Sequence, residues 1–269
     1  MVQLFKTEWL KIKSYRTFWI LFASFFVFLP FTFLMTADRF MRQFEGKSME
    51  AEMIKRLMNA PFTFPNVWHG AAWFGGLFFI IIGMLFILLI THEVQYKTHR
   101  QNIIDGWSRM DFIAAKGTVL LFFVITATIM VFLTGLLCGL VFTPDLSSVA
   151  IFEGFHYIGY YALMATQYLV VAFIIAILIK RTGLAIVIYF AYVFIIDNLL
   201  WLALTFRKGQ AGYFLPLEST DSLIPNPFKP GIIETRTVSD LSLIITAVLY
   251  GVVMLYIVIR YYKNADLKN

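Results

Sequence analysis

The chain alternates long uncharged stretches with short segments that carry nearly all of its charges. Six uncharged stretches are long enough to cross a bilayer, because a helix needs about 20 apolar residues to span a hydrocarbon core of about 30 Å. Together they contain one charged residue, Asp197. The stretches are residues 17–37, 70–91, 117–144, 154–179, 182–206 and 241–259. The pattern predicts an all-α membrane protein in which residues 17–269 form one domain of six transmembrane helices.

Residues 1–16 precede the first span and predict a separate amphipathic helix. Val2, Phe5, Trp9 and Ile12 fall on one helical face, and lysines flank that face. This arrangement is typical of a helix in the membrane interface, where lysine stems reach outward to phosphate. We therefore expect an interfacial helix with Phe5 and Trp9 as its anchors. The alternative interpretation is a basic segment before the first span, with incidental helicity.

The segment between the second and third spans, residues 92–116, predicts a short isolated helix. Thr98 and Gln101 have the spacing of a capping box, so a helix can begin there. Gly106 can end it in the left-handed conformation. Ser108 with Asp111 then forms a second cap, from which the third span can begin.

The short helix carries an apolar patch formed by Ile103, Ile104 and Trp107. A connection of this kind can be a turn of a few residues, whereas this one is much longer and bracketed by caps. Such a helix suits docking into a groove on a partner protein. An interfacial loop whose apolar residues touch lipid explains the same pattern, and both interpretations stay open at this point.

The amino-acid composition agrees with a membrane protein and excludes several kinds of site and partner. The chain is 60% hydrophobic and 14% charged, with a net charge of +6, whereas a soluble domain is about 25% charged. Its Lys and Arg lie in the segments beside the spans, so we expect contact with lipid headgroups and no nucleic-acid partner. Cys138 is the only cysteine, which excludes an intrachain disulfide and a cysteine metal site.

The chain resembles the type-2 ABC exporter permease family over essentially its whole length. Its opening helix carries the basic, aromatic string of that family, and its 92–116 segment carries the family's loop motif, although Lys97 stands where many members have glycine. The matching residues are Glu8, Trp9, Leu10 and Lys11 in the first helix, and Glu93, Thr98, Ser108, Arg109 and Lys116 in the loop.

The resemblance implies an export permease that works by alternating access. It implies a dimer, with a second copy or a paralogue, docked on two P-loop ATPase subunits. Residues 98–107 would be the coupling helix, with Glu93 and Arg109 orienting it from the adjoining helices. The ATPase-coupling residues are then Glu93, Thr98, Gln101, Ile103, Ile104, Gly106, Trp107 and Arg109.

The chain's own motifs predict no enzyme activity. Gly46, Lys47 and Ser48 match the end of a P-loop, but position 41 is Met where the motif requires glycine. His92 and Glu93 begin a zinc-protease motif, but Tyr96 stands where the second His is required. We therefore expect no metal or cofactor on this chain, with ATP and Mg bound by the partner subunit.

Asp197 and the adjoining Asn198 are candidates for lining the translocation path. Asp is costly inside a bilayer and often marks function. The alternative is that Asp197 caps the segment between the last two spans or hydrogen-bonds a neighbouring helix. That segment, residues 207–240, is rich in Pro and Gly and cannot be one helix; residues 215–217 and 223–228 are apolar enough to dip into the interface.

Lys and Arg are denser in residues 1–16, 92–116, 180–181 and 260–269 than in the other connecting segments. The positive-inside rule therefore predicts that both termini are cytoplasmic, and we expect the protein in the inner membrane of a bacterium. A membrane scaffold for an envelope or motility complex is the alternative to a transporter.

Overall fold

The computed structural model describes residues 2–44, 61–95, 108–147, 149–206, 209–228 and 238–264, and this part of the chain contains helices and no strands. Six helical spans are long and apolar enough to cross a membrane, so the all-α, six-span prediction is confirmed. The helices are α1 (Val2–Lys13), α2 (Arg16–Phe44), α3 (Val67–Gln95), α4 (Arg109–Phe142), α5 (His156–Leu178), α6 (Thr182–Ala191), α7 (Asp197–Thr205), α8 (Glu218–Asp221) and α9 (Asp240–Asn264). A π-helical turn, Tyr192–Ile196, joins α6 and α7 into the fifth span.

The helices extend beyond the uncharged stretches where polar residues support an extra turn. At its far end, α2 continues past Ala37 with an Asp38–Arg42 ion pair of 3.0 Å at i,i+4 spacing. The cap predicted at Ser108 is confirmed, because Ser108 and Asp111 form a reciprocal capping box at the start of α4. Helix boundaries therefore follow the caps rather than the edges of the apolar runs.

A separate N-terminal helix, α1, is present as expected, and it packs on the bundle. The ring of Phe122 on α4 lies 5.7 Å from that of Phe5 and 5.5 Å from that of Trp9, and Ile12 is buried. The apolar face of α1 therefore contacts protein, and the two aromatic rings remain half-buried. That α1 lies in the membrane interface stays a prediction.

Helix α3 occupies the centre of the bundle and contacts α2, α4, α5 and α6. Its most apolar window is 61% buried, against 22% for α2 and 17% for both the fifth span and α9. Close packing depends on small residues: a Cβ on Gly83 of α3 would lie 2.6 Å from Cζ of Tyr189 on α6. The outer helices consequently present wide apolar surfaces to lipid or to another subunit.

The bundle has two distinct ends. The proximal end carries α1, and there the hydroxyl groups of Thr91 and Thr182 lie 2.8 Å apart. The distal end, opposite α1, gathers residues 61–66, 143–155 and 209–228; the segment 209–228 we call the distal insert. Leu217, Leu223 and Ile224 of the insert are buried against the bundle, and the insert contains a 3₁₀ turn, Ala211–Phe214, followed by α8.

Candidate functional site

A buried network of four charged side chains lies at the proximal end. Lys116 of α4 donates through its Nζ to Oε2 of Glu8, and to Oε1 of Glu93 at 2.6 Å. Lys11 donates to Oε1 of Glu8 at 3.1 Å and to Oε1 of Glu93 at 3.4 Å. Only 2% of the Glu8 side chain and 3% of the Lys116 side chain are exposed. The network balances two acidic and two basic groups, which is how buried charges are tolerated.

The electrostatics of α1 match this pairing. Burial raises the pKa of Glu8, but the charges and hydrogen bonds of Lys116 and Lys11 outweigh it, so the pKa is lowered from its usual 4.5. Burial lowers the pKa of Lys11, but Glu93 and Glu8 outweigh it, so the pKa is raised from its usual 10.5. Glu8 and Lys11 are therefore both held in their charged forms near neutral pH.

The network joins three helices around one connection. Glu8 and Lys11 belong to α1, Glu93 lies near the end of α3, and Lys116 lies two turns into α4. The end of α3 and the start of α4 flank residues 96–107, which contain the whole of the predicted coupling helix, residues 98–107. The network thus fastens α1 to both arms of that connection.

A cavity of about 290 Å³ adjoins the network. Its walls are mostly apolar and include Phe86, Ile90 and Val119, with Tyr15 and His92 at one side. The rings of Tyr15 and His92 are 5.4 Å apart in an edge arrangement. At the junction between α1 and the bundle, the charge network therefore lies beside a small, mostly apolar cavity.

Most of the predicted coupling residues lie outside the described part of the chain; they are Thr98, Gln101, Ile103, Ile104, Gly106 and Trp107. Arg109 is the first residue of α4. Glu93 is the one predicted coupling residue whose side-chain contacts the structure shows, and it belongs to the network. The sequence singled out Glu8 and Lys116 as motif residues without bringing them together, because nothing local pairs two residues 108 positions apart.

Asp197 and Asn198 lie at the distal end, and their side chains have different surroundings. Asp197 is 2% exposed, and the backbone N–H groups of Leu217 and Glu218 in the distal insert are directed at its carboxylate. Asn198 donates to the carbonyl oxygens of Val193 at 3.2 Å and Phe194 at 3.3 Å, which the π-helical turn releases from regular pairing. The Asp197 carboxylate thus lies buried beside the distal insert, and its Oδ1 has no hydrogen-bond partner among the described residues, whereas Asn198 borders a cavity.

Sequence reasoning missed a second polar contact in this region. The hydroxyl of Tyr168 on α5 donates to Oδ2 of Asp221 on α8 at 2.8 Å. His69 at the start of α3 also lies 2.6 Å from the carbonyl oxygen of Pro225, and its ring stacks on Tyr157 at 4.3 Å. A Tyr in an uncharged span and an Asp in a Pro-rich segment give no local signal of such a contact.

No cluster of three or more potential metal ligands occurs among the residues that the structure describes. Comparison with protein families gave one match: the model described as ABC-2 family transporter protein covers residues 4–196. The match includes α1, the charge network and the chain through the π-helical turn, and it ends just before Asp197. Neither the curated proteins nor the solved structures gave a match.

Proposed function

The chain belongs to the ABC-2 family of membrane transporter proteins, and we propose that it is the permease of an ATP-driven exporter that works by alternating access. In this family the permease is the transmembrane subunit and ATP hydrolysis belongs to a separate partner. The proposal adds a direction of transport, a route for the ATP-driven motion and an arrangement of subunits.

The charge network is the observation that supports a route for the ATP-driven motion from the coupling helix into the membrane domain. Residues 98–107 are the proposed coupling helix, and Glu93 and Lys116 stand on the two helices that flank it. Lys116 of α4 is paired with Glu8 of α1, and Glu93 of α3 is paired with Lys11 of α1 and with Lys116, so a displacement of either helix stretches ion pairs of the network. Because separating buried charges is costly, α1 and the two arms should move as one body when the ATPase closes.

The exposed helices support a dimer with the path between two copies. No more than about a quarter of the most apolar windows of α2, the fifth span and α9 is buried in the single chain: 22% for α2 and 17% for each of the other two. A second copy or a paralogue would cover part of this surface, and lipid the rest. The density of Lys and Arg supports a proximal end in the cytoplasm of a bacterial inner-membrane protein, where the ATPase would dock.

The test is release of the ATPase by changes in the coupling helix. Trp107→Ala and Ile104→Asp remove or charge an apolar anchor, and truncating such an anchor costs about 2 kcal/mol or more of binding. Gly106→Val would penalise the left-handed turn that the sequence predicts at this position. We expect each variant to insert and dimerise but to lose co-purified ATPase, or to hydrolyse ATP without transport.

Phe206→Ala is the matched control, because Phe206 is 82% exposed at the distal end, away from the proposed docking surface. It should retain both ATPase and transport. Full ATPase binding and full transport in all three coupling variants would refute the coupling assignment. A permease that co-purifies with structural envelope proteins and no ATPase would refute the transporter itself.

A further inference from the structure

A second cavity, of about 590 Å³, lies within the distal half of a single protomer. Residues of α3, α5, the fifth span and the distal insert line it. This volume lies in the range of small-molecule sites, which combine apolar walls with a few oriented polar groups. The side chains used below are Trp73, Tyr168, Trp201, Tyr213, Glu218 and Asp221, all of which line it.

The Tyr168–Asp221 pair, the polar part of the cavity lining, lies far from the distal end of α5. Tyr168 is twelve residues after His156, the first residue of α5, which is about 18 Å at 1.5 Å per residue. Because its hydroxyl donates to Asp221, the insert carries that carboxylate to near the middle of α5. A carboxylate at such a depth is costly unless it has a function or a partner.

Asp221 is held in place but lacks a positive partner. Tyr168 donates to its Oδ2, and no described residue donates to its Oδ1. The side chains around the cavity include two acidic groups, Glu218 and Asp221, and no Lys or Arg among the described residues. Among the described residues, the other ionisable groups that act on the Tyr168–Asp221 pair are Tyr189 and Asp197 of the fifth span, and neither of them can carry a positive charge.

Aromatic side chains line the same cavity as the acidic groups Glu218 and Asp221. Trp73 enters from α3, and Trp201 and Tyr213 have ring centroids 6.2 Å apart. Aromatic faces attract cations, and the attraction grows when the cation is desolvated. Apolar walls, aromatic rings and a fixed carboxylate together match a molecule that is both lipophilic and positively charged.

We propose that this cavity binds a lipophilic organic cation, with Asp221 as its counter-charge. Tyr168 is a positioning residue that fixes the carboxylate, and Trp73, Trp201 and Tyr213 supply the aromatic walls. The site belongs to one protomer, separate from the path proposed between two copies, and the distal insert that carries Asp221 lies beyond the residues matched by the family model.

Cation binding and protonation of Asp221 should compete with each other. Burial raises the pKa of Asp221 well above its usual 3.8, and the neighbouring charges of Glu218 and Asp197 add to that shift, while the Tyr168 hydrogen bond opposes it. An arriving cation supplies the missing positive charge and favours the ionised carboxylate. Cation affinity should therefore fall as the pH is lowered.

The experiment measures equilibrium binding of tetraphenylphosphonium to the purified full chain in nanodiscs, without ATP, with empty nanodiscs subtracted. Tetraphenylborate has the same shape with the opposite charge and should not compete at the site. Asp221→Asn should weaken tetraphenylphosphonium binding at least about tenfold. Tyr168→Phe should weaken it less and change its pH dependence, because the carboxylate keeps its charge but loses its fixed position.

The matched control is Asp240→Asn. Asp240 accepts a hydrogen bond from Tyr160 at 3.3 Å, so it forms a similar Tyr–Asp contact that does not line the cavity, and its loss should leave binding unchanged. Leu77→Trp narrows the cavity without changing its charge and should also weaken binding, which keeps the test valid if Asp221→Asn fails to fold.

Unchanged tetraphenylphosphonium binding in folded Asp221→Asn or in Leu77→Trp would overturn the proposal, as would equal competition by tetraphenylborate. Since the assay needs neither ATP nor an ATPase, its result is independent of the export mechanism. The exporter is tested separately by co-purification. Tetraphenylphosphonium binding by a chain with which no ATPase co-purifies from cells would support this site and refute the exporter, whereas ATP-driven transport by a chain that does not bind tetraphenylphosphonium would do the reverse.

Discussion

Lys116 and Glu8 form a buried ion pair although 108 positions separate them in the chain. Lys116 also contacts Glu93, and Lys11 contacts both acids. The consequence is a mechanical link between α1 and the two helices that flank the proposed coupling helix. Because removing one partner leaves a buried charge without compensation, the link can be tested by single substitutions.

Lys116→Met should destabilise the protein by about 3–5 kcal/mol, because it leaves Glu8 buried without its main partner. Pairing it with Glu8→Gln should recover part of that loss, since the uncompensated charge is then removed. Thermal unfolding in detergent measures both effects. Lys13→Met is the control, because Lys13 is exposed on the same helix, and it should change stability by less than about 0.5 kcal/mol. Equal effects of Lys116→Met and Lys13→Met would contradict a structural role for the network.

The network should also give the protein a defined pH range of stability. The pKa of Glu8 is lowered in the folded state, so its contribution is present above about 4.5 and is lost as the pH falls through the lowered value. The pKa of Lys11 is raised, so its contribution is present below about 10.5 and is lost as the pH rises through the raised value. Unfolding midpoints measured across pH should therefore fall at both extremes.

Glu8→Gln should remove the part of the acid dependence that Glu8 causes, while leaving the alkaline loss due to Lys11 in place. An acid profile in Glu8→Gln that is parallel to that of the parent protein would exclude Glu8 as a source of this dependence.

Asp197→Asn should lower thermal stability while leaving transport per folded molecule near normal. The buried carboxylate lies close to backbone N–H groups of the distal insert, and removing its charge removes the attraction between it and those N–H dipoles. Asp38→Asn is the control, because the Asp38 side chain is 48% exposed and its pair with Arg42 lies on the surface. Normal stability with reduced or altered transport would instead place Asp197 in the translocation path.

Cysteine labelling should establish the orientation of the bundle. In a Cys138→Ser background, Ser147→Cys at the distal end should react with an impermeant maleimide in intact cells, whereas Lys180→Cys at the proximal end should react only after the membrane is opened. Both positions are exposed in the structure, whereas Ser219 of the distal insert is fully buried and unsuited to labelling. The reverse reactivity would invert the proposed topology.

The features predicted from sequence are those that short-range chemistry determines. An uncharged run of about 20 residues must satisfy its backbone within a helix in lipid, so all six spans appear in the sequence. The cap at Ser108 needs only a hydroxyl and a carboxylate three residues apart, and it forms as predicted. Local patterns of this kind carry the fold class, the helix starts and the family resemblance.

Tertiary structure alone decided which polar residues meet. The sequence marked Glu8, Glu93 and Lys116 separately, but only the packing of α1 against α4 places them within hydrogen-bonding distance. Tyr168 and Asp221 gave no sequence signal, because their contact depends on a Pro-rich segment folding back between helices. The energetic effect of a charge inside a membrane protein depends on the groups that surround it in space. Packing between elements far apart in the chain determines which groups those are.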